Sequence, residues 1–100
     1  MTLHGIEFPL DRIARFCQTS GIKRLALFGS ILRDDFGPES DIDVLVEFYP
    51  GVKVGLSLFR LQDELSAMLG RRVDLNTVGF LSPHFRDEVL EKAEPVYVAA

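Results

Sequence analysis

Gly29-Ser30, Asp41 and Asp43 are the residues whose types and spacing point to chemistry. The apolar run "RLALF" ends in the Gly-Ser pair, and ten residues further on a new apolar alternation opens with "DID". Acidic residues are depleted from strands and charge in a strand interior is costly, so the pattern asks for something cationic nearby. Residues two apart on a strand share a face and stand about 6.6 Å apart along the chain. The Asp41 and Asp43 carboxylates can therefore aim at one small volume. Asp74, in "RRVDLNT", lies in a second alternating stretch, and the alternation allows it onto the same face.

Three carboxylates converging in a partly dry site repel one another and resist full ionisation, a penalty that a divalent cation reverses. Ligation by Asp oxygens suits Mg²⁺ or Mn²⁺, and no Cys/His cluster suggests zinc. Two such ions about 3.5–4 Å apart can clamp the attacking and leaving oxygens of an in-line phosphoryl displacement. Gly29 has no side chain to hold a phosphate away from the backbone, and Ser30 offers a hydroxyl and an N–H at the start of a helical turn. Arg33, one turn on, can meet a phosphate or brace the carboxylates. Taken singly, "GS" and "PESD" read as ordinary surface turns. Together, Gly-Ser followed at this spacing by Asp-x-Asp arises by chance in roughly one such chain in a thousand.

The elements that must hold these residues follow from periodicity. Leu10, Ile13, Ala14 and Cys17 recur at helical spacing, with Pro9 suited to a first turn and Gly21 to a stop, which predicts a helix over 10–20. Residues 24–29 read as a buried strand. Over 41–48, Ile42, Val44, Val46 and Phe48 point one way, and Asp41, Asp43, Leu45 and Glu47 the other. Pro50-Gly51 predicts a turn. Leu58, Leu61, Leu65, Met68 and Leu69 form the stripe of a second helix over 56–70, closed by Gly70. A third strand falls at 71–77. Ser82-Pro83 starts a last helix with Phe85, Val89 and Leu90 inward, and 95–99 is a short final strand. The expected architecture is a small sheet with helices packed on one face and the aspartates on the other, partly open face.

Composition narrows the function. The 100-residue chain is 47% hydrophobic and 26% charged, the balance of an ordinary globular domain, and its length fits one domain, residues 1–100. The net charge of −4 argues against sequence-independent binding to DNA or RNA, which needs a basic surface. Arg12 with Arg15, Lys23-Arg24 and Arg71-Arg72 read as solvated edges. No apolar run is long enough to cross a bilayer, and the first residues do not read as a secretory signal. The lone Cys17 permits no internal disulfide and fits a reducing, cytoplasmic setting; its helical position reads as core. His4 and His84 read as surface or cap residues, and Tyr49 and Tyr97 as edge aromatics.

"GS", ten residues and "DID" match the signature of the DNA polymerase β-like nucleotidyltransferases. From "IKRLALFGS" through "SDIDVLVEF" and "RRVDLNT" to the end, the chain resembles their small bacterial and archaeal branch, the minimal nucleotidyltransferases (MNT). The resemblance implies an α+β fold with a small mixed β-sheet, like the polymerase β palm. It implies that Gly29 and Ser30 hold the triphosphate of an incoming nucleotide and that Asp41 and Asp43 ligate the metal ions. Asp74 would complete the metal site and help to prepare the attacking hydroxyl. Where many members read Arg-Ala-Arg-Gly after the Gly-Ser, this chain reads Ile31-Leu32-Arg33-Asp34, which keeps the arginine and changes the turn.

The resemblance also implies a partner. MNT proteins act as antitoxins beside HEPN toxins, often RNases, and some transfer AMP from ATP to a tyrosine of the toxin. The leading expectation is an Mg²⁺-dependent protein adenylyltransferase acting as an antitoxin. A binding-only antitoxin that masks its toxin sterically is the alternative from another class. A transferase acting on a small molecule ranks third, because the chain lacks an acceptor-binding domain. No motif reads the nucleotide base.

Overall fold

The computed structural model describes all residues, Met1–Ala100. The chain begins with a minimal hairpin, β1 (Thr2–Leu3) paired antiparallel with β2 (Ile6–Glu7). His4 and Gly5 join them with φ of 51° and 75°, the positive values that a two-residue hairpin turn requires. The His4 Nε2–H donates to the Ile31 carbonyl at 3.1 Å, which ties the hairpin to the turn that follows Gly29-Ser30.

Helix α1 (Leu10–Ser20) ends at Gly21, whose φ of 70° suits the left-handed cap and whose N–H reaches the Cys17 carbonyl. Its buried residues are Ile13, Phe16 and Cys17; Phe16 was not in the expected stripe, and Leu10, expected inward, is 44% exposed. Strand β3 (Ile22–Phe28) starts two residues before the expected run and breaks into a tight turn over Gly29–Leu32. Strand β4 is Ile42–Phe48, α2 is Ser57–Leu69, β5 is Val73–Thr77, α3 is Pro83–Lys92 and β6 is Glu94–Val98. Ser82 and Pro83 start α3 as expected, with the Ser82 hydroxyl accepting from the His84 N–H.

The four long strands make one mixed sheet in the order β5–β4–β3–β6. Strands β4 and β6 run antiparallel to β3, and β5 runs parallel to β4. Helix α1 packs on β3 and β6, and α2 packs beside β5. The core lies between these helices and the sheet face formed by Leu25, Leu27, Ile42, Val44, Val46, Val73 and Leu75. At roughly 1.5–3 kcal/mol per fully buried large aliphatic side chain, this face is the main source of stability.

The edge strand β5 is covered rather than left open. The Val73 N–H donates to Ser66 Oγ at 3.0 Å and the Leu75 N–H to Gln62 Oε1 at 2.9 Å. Helix α2 thus supplies the hydrogen bonds that a further strand would otherwise supply. The aspartate face is only partly open, since Ala26 and Leu45, opposite each other in the β3–β4 pair, are buried. Helix α3 buries none of its residues fully, and Phe85, expected inward, is 61% exposed.

Candidate active site

Register decides which side chains meet. Phe28 on β3 is the partner of Asp43 on β4, and Asp43 is in turn the partner of Asp74 on β5. An aromatic ring and two carboxylates therefore form a row across three strands, on the face away from the core. The parallel pairing of β4 with β5 that produces this row begins where the Ile42 N–H donates to the Arg72 carbonyl at 2.9 Å. The bonds from β5 to Ser66 and Gln62 fix the other edge, so Asp74 is held from both sides.

Gly29 stands over this row. Its φ is 75°, and a Cβ built there would come within 3.2 Å of Asp43 Cγ and nearer still to the carboxylate itself. Two independent constraints select glycine here: left-handed backbone, and the close approach of an acidic side chain. The turn is closed by the Arg33 N–H donating to the Ser30 carbonyl at 2.9 Å. Ser30 is half-buried in that turn, directly after Gly29.

Burial, first of all, raises the pKa of Asp43 above the ordinary aspartate value of 3.8, and the charges of Asp74 and then Asp41 push the same way. Arg33 opposes them. The electrostatic neighbours of Asp43 are thus two other acids, Asp74 and Asp41, and one arginine, Arg33, all residues the sequence singled out. The field of Asp74 acts more strongly than that of Asp41, which follows from its place directly alongside in the ladder.

Asp41 sits just before β4, half-buried, with one oxygen 4.0 Å from the largely exposed Arg72 guanidinium. A pair this open contributes little. The loop that delivers Asp41 is held instead by Arg71, which the sequence alone classed with solvated edges. Its guanidinium donates to the Gly37 carbonyl at 2.9 Å and the Ser40 carbonyl at 2.7 Å, and lies 4.7 Å from the centre of the buried Phe36 ring. Ser40 Oγ in turn accepts from the Gly37 N–H at 3.0 Å. Nothing in local sequence marks Arg71 for this duty, because its partners are more than thirty residues away.

Of the remaining expected residue, the structure makes a narrower assignment. The Arg33 Nε–H donates to Asp35 at 3.1 Å, and its side chain is 62% exposed. It braces its own loop rather than the three carboxylates, while its charge still reaches Asp43.

As they stand, Asp41, Asp43 and Asp74 do not close around a single point, and no three acidic, His or Cys side chains form a group able to grip an ion. Like charges repel, and Asp41 leans to Arg72 instead. The donors nevertheless suit Mg²⁺: all are carboxylate oxygens. Gly29, by lacking a Cβ, leaves the Asp43 carboxylate its room.

Comparison with known proteins follows the same line. The model of the nucleotidyltransferase domain family matches residues 10–96. Protein adenylyltransferase MntA of Thermococcus cleftensis is 36% identical over 99 residues, which span 98% of this chain and 97% of that protein. A solved structure provisionally described as a minimal nucleotidyltransferase is 35% identical, with a TM-score of 0.72, over 86% of this chain and 87% of the other. A chain in the complex of a tri-AMPylated Shewanella oneidensis HEPN toxin with its MNT antitoxin shares the fold at 20% identity. Its TM-score is 0.63, over 90% of this chain and 70% of that one.

Proposed function

This chain belongs to the nucleotidyltransferase domain family, and from that premise we propose that it is an Mg²⁺-dependent protein adenylyltransferase that acts as an antitoxin. Its donor is ATP and its acceptor a tyrosine hydroxyl of a HEPN toxin. One observation carries the reading: Asp43, flanked in register by Asp74 and standing under Gly29, which has no side chain. The toxin–antitoxin complexes of the same fold, and the adenylyltransferase name of a relative similar over the whole chain, support the acceptor and the donor.

In the proposed reaction the tyrosine oxygen forms a bond to the α-phosphorus of ATP. The bond from that phosphorus to the oxygen bridging the β-phosphate breaks, and pyrophosphate leaves. Asp41, Asp43 and Asp74 would hold Mg²⁺, which when bound supplies the positive charge that makes phosphates tolerable beside carboxylates. Gly29 lets the triphosphate approach the backbone, and Ser30 donates to it. Asp74 is the most exposed of the three acids, and takes the proton of the incoming hydroxyl. Because the Asp74 end of the row is open to solvent, the acceptor arrives from outside on its partner. The attached AMP adds bulk and negative charge to the toxin, which blocks an RNA-binding surface.

Intact-mass analysis of the HEPN partner, incubated with this protein, Mg²⁺ and ATP, tests the proposal. Mass steps of one AMP with matching release of pyrophosphate are expected. An unmodified partner in a stable complex would instead establish steric masking.

A further inference from the structure

His4, at the first central position of the β1–β2 turn, has φ of 51° and is the one residue other than glycine in left-handed backbone. Asn-Gly is the preferred pair for such a turn, whereas this chain reads His4-Gly5. A side chain kept in a backbone conformation that favours another residue points to work done by that side chain. Burial does not account for it, since His4 is exposed.

The imidazole makes two contacts, and both lead to the candidate active site. Its Nε2–H donates to the Ile31 carbonyl at 3.1 Å, across 27 positions of sequence. Ile31 is the third residue of the Gly29–Leu32 turn, and its side chain is buried at 1% exposure. The core thus holds the Ile31 side chain, and His4 holds its carbonyl. Because the peptide is planar, a fixed carbonyl fixes the whole Ile31–Leu32 peptide and with it the second half of the turn. So short and tight a turn has poor hydrogen-bond geometry of its own, and outside contacts decide where it stands. The second contact is with Phe36, whose ring centre lies 4.8 Å from that of His4, within the distance of interacting rings. Phe36 is the ring that Arg71 approaches at 4.7 Å while its guanidinium holds the Gly37 and Ser40 carbonyls ahead of Asp41. One side chain therefore touches both the turn that carries Gly29-Ser30 and the packed loop that delivers Asp41.

From this placement we infer that His4 is a positioning residue of the transfer site, bracing the Gly29-Ser30 turn against the loop of Asp41. The inference rests on the transfer reading above and adds to it the residue that keeps the two sides of the site at a fixed separation. An in-line displacement needs that separation, and an error of about 1 Å can cost 100-fold in rate. The hairpin lies ahead of residues 10–96, the span matched by the family model, so this brace reaches the site from outside that span.

The test measures AMP incorporation into the HEPN partner by the full chain with Mg²⁺ and saturating ATP, beside thermal melts. His4→Asn creates the preferred hairpin turn but ends one bond short of the Ile31 carbonyl. His4→Gln carries an amide N–H as far as the imidazole does, yet suits left-handed backbone less well. The expected result is a rate lower by about 10- to 100-fold in His4→Asn and within about threefold of wild type in His4→Gln. Melting temperatures should rank the other way, with His4→Asn at or above wild type and His4→Gln below it. Transfer by His4→Asn within about threefold of wild type overturns the inference, and so does a loss that His4→Gln fails to repair. Rates that follow the melting temperatures also overturn it, since His4 then serves the hairpin alone. A wild-type protein that transfers no AMP overturns the transfer reading, and this inference with it, before any variant is made.

Discussion

Replacing Gly29 by alanine separates the two constraints acting at that position. Holding a non-glycine residue in left-handed backbone costs about 1–2 kcal/mol. For a domain of this size that lowers the melting temperature by about 4–16 °C. The added Cβ also falls within 3.2 Å of Asp43 Cγ and closer to its carboxylate, so the Asp43 carboxylate must move from its place in the row. Misplacing a reacting group by about 1 Å can cost 100-fold in rate, and a loss of that order or more is expected here. Gly51 provides the control, with φ of 87° and nothing within 4 Å of a built Cβ. Gly51→Ala should lose comparable stability and retain transfer. Both variants would be assayed for AMP incorporation well below their melting temperatures, beside thermal melts. If Gly29→Ala kept transfer within about tenfold of wild type, or if Gly51→Ala fell equally far, the close approach to Asp43 would have no part in catalysis.

Other expectations follow from the same geometry. Asp43 is held above its ordinary pKa, chiefly by burial, so the folded state binds more protons than the unfolded one in the window above 3.8. Stability is therefore lost as pH rises through that window. Asp43→Asn should stabilise the chelator-treated protein by about 0.2–1 kcal/mol at neutral pH and by nothing at pH below the unfolded value, read from urea melts. Arg71→Ala should destabilise the protein by about 1–3 kcal/mol, through lost bonds to the Gly37 and Ser40 carbonyls, and should slow transfer by freeing Asp41. Arg72→Ala, which removes only an open pair, should do neither, and kinetics with both variants decides this. Burial pushes the Cys17 thiol up to about 12, so a thiol reagent should label it only as fast as the protein unfolds, with mass spectrometry as the readout.

The parts of this structure that were legible in the sequence are those that repeat or sit at fixed spacing. Helix α1, the alternation of β4 and the Gly29-Ser30 to Asp41-Asp43 interval all act within a few turns or strands of themselves. The hairpin at residues 2–7 was not legible, because two-residue strands are too short to show a period. The neighbourhood of Asp74 required more than alternation: only the parallel register of β4 and β5 sets it beside Asp43 rather than a residue pair away. Arg71 was misread as a solvated edge because carbonyl acceptors in a distant loop leave no mark in composition. Phe85 was placed inward by helical spacing, yet α3 has little sheet to pack on and leaves that ring exposed. Gln62 and Ser66 look like the polar face of a helix until the uncovered edge of β5 is seen against them.

The most direct test of the central claim measures AMP incorporation and toxin inhibition side by side for the wild type and Asp43→Asn, with equal amounts of complex formed. The carboxylate row predicts that the variant still binds the HEPN partner and transfers no AMP, and that toxin freed from that complex remains active. Undiminished incorporation by Asp43→Asn would contradict the account, because the reaction would then proceed without the carboxylate that lies between Gly29 and Asp74.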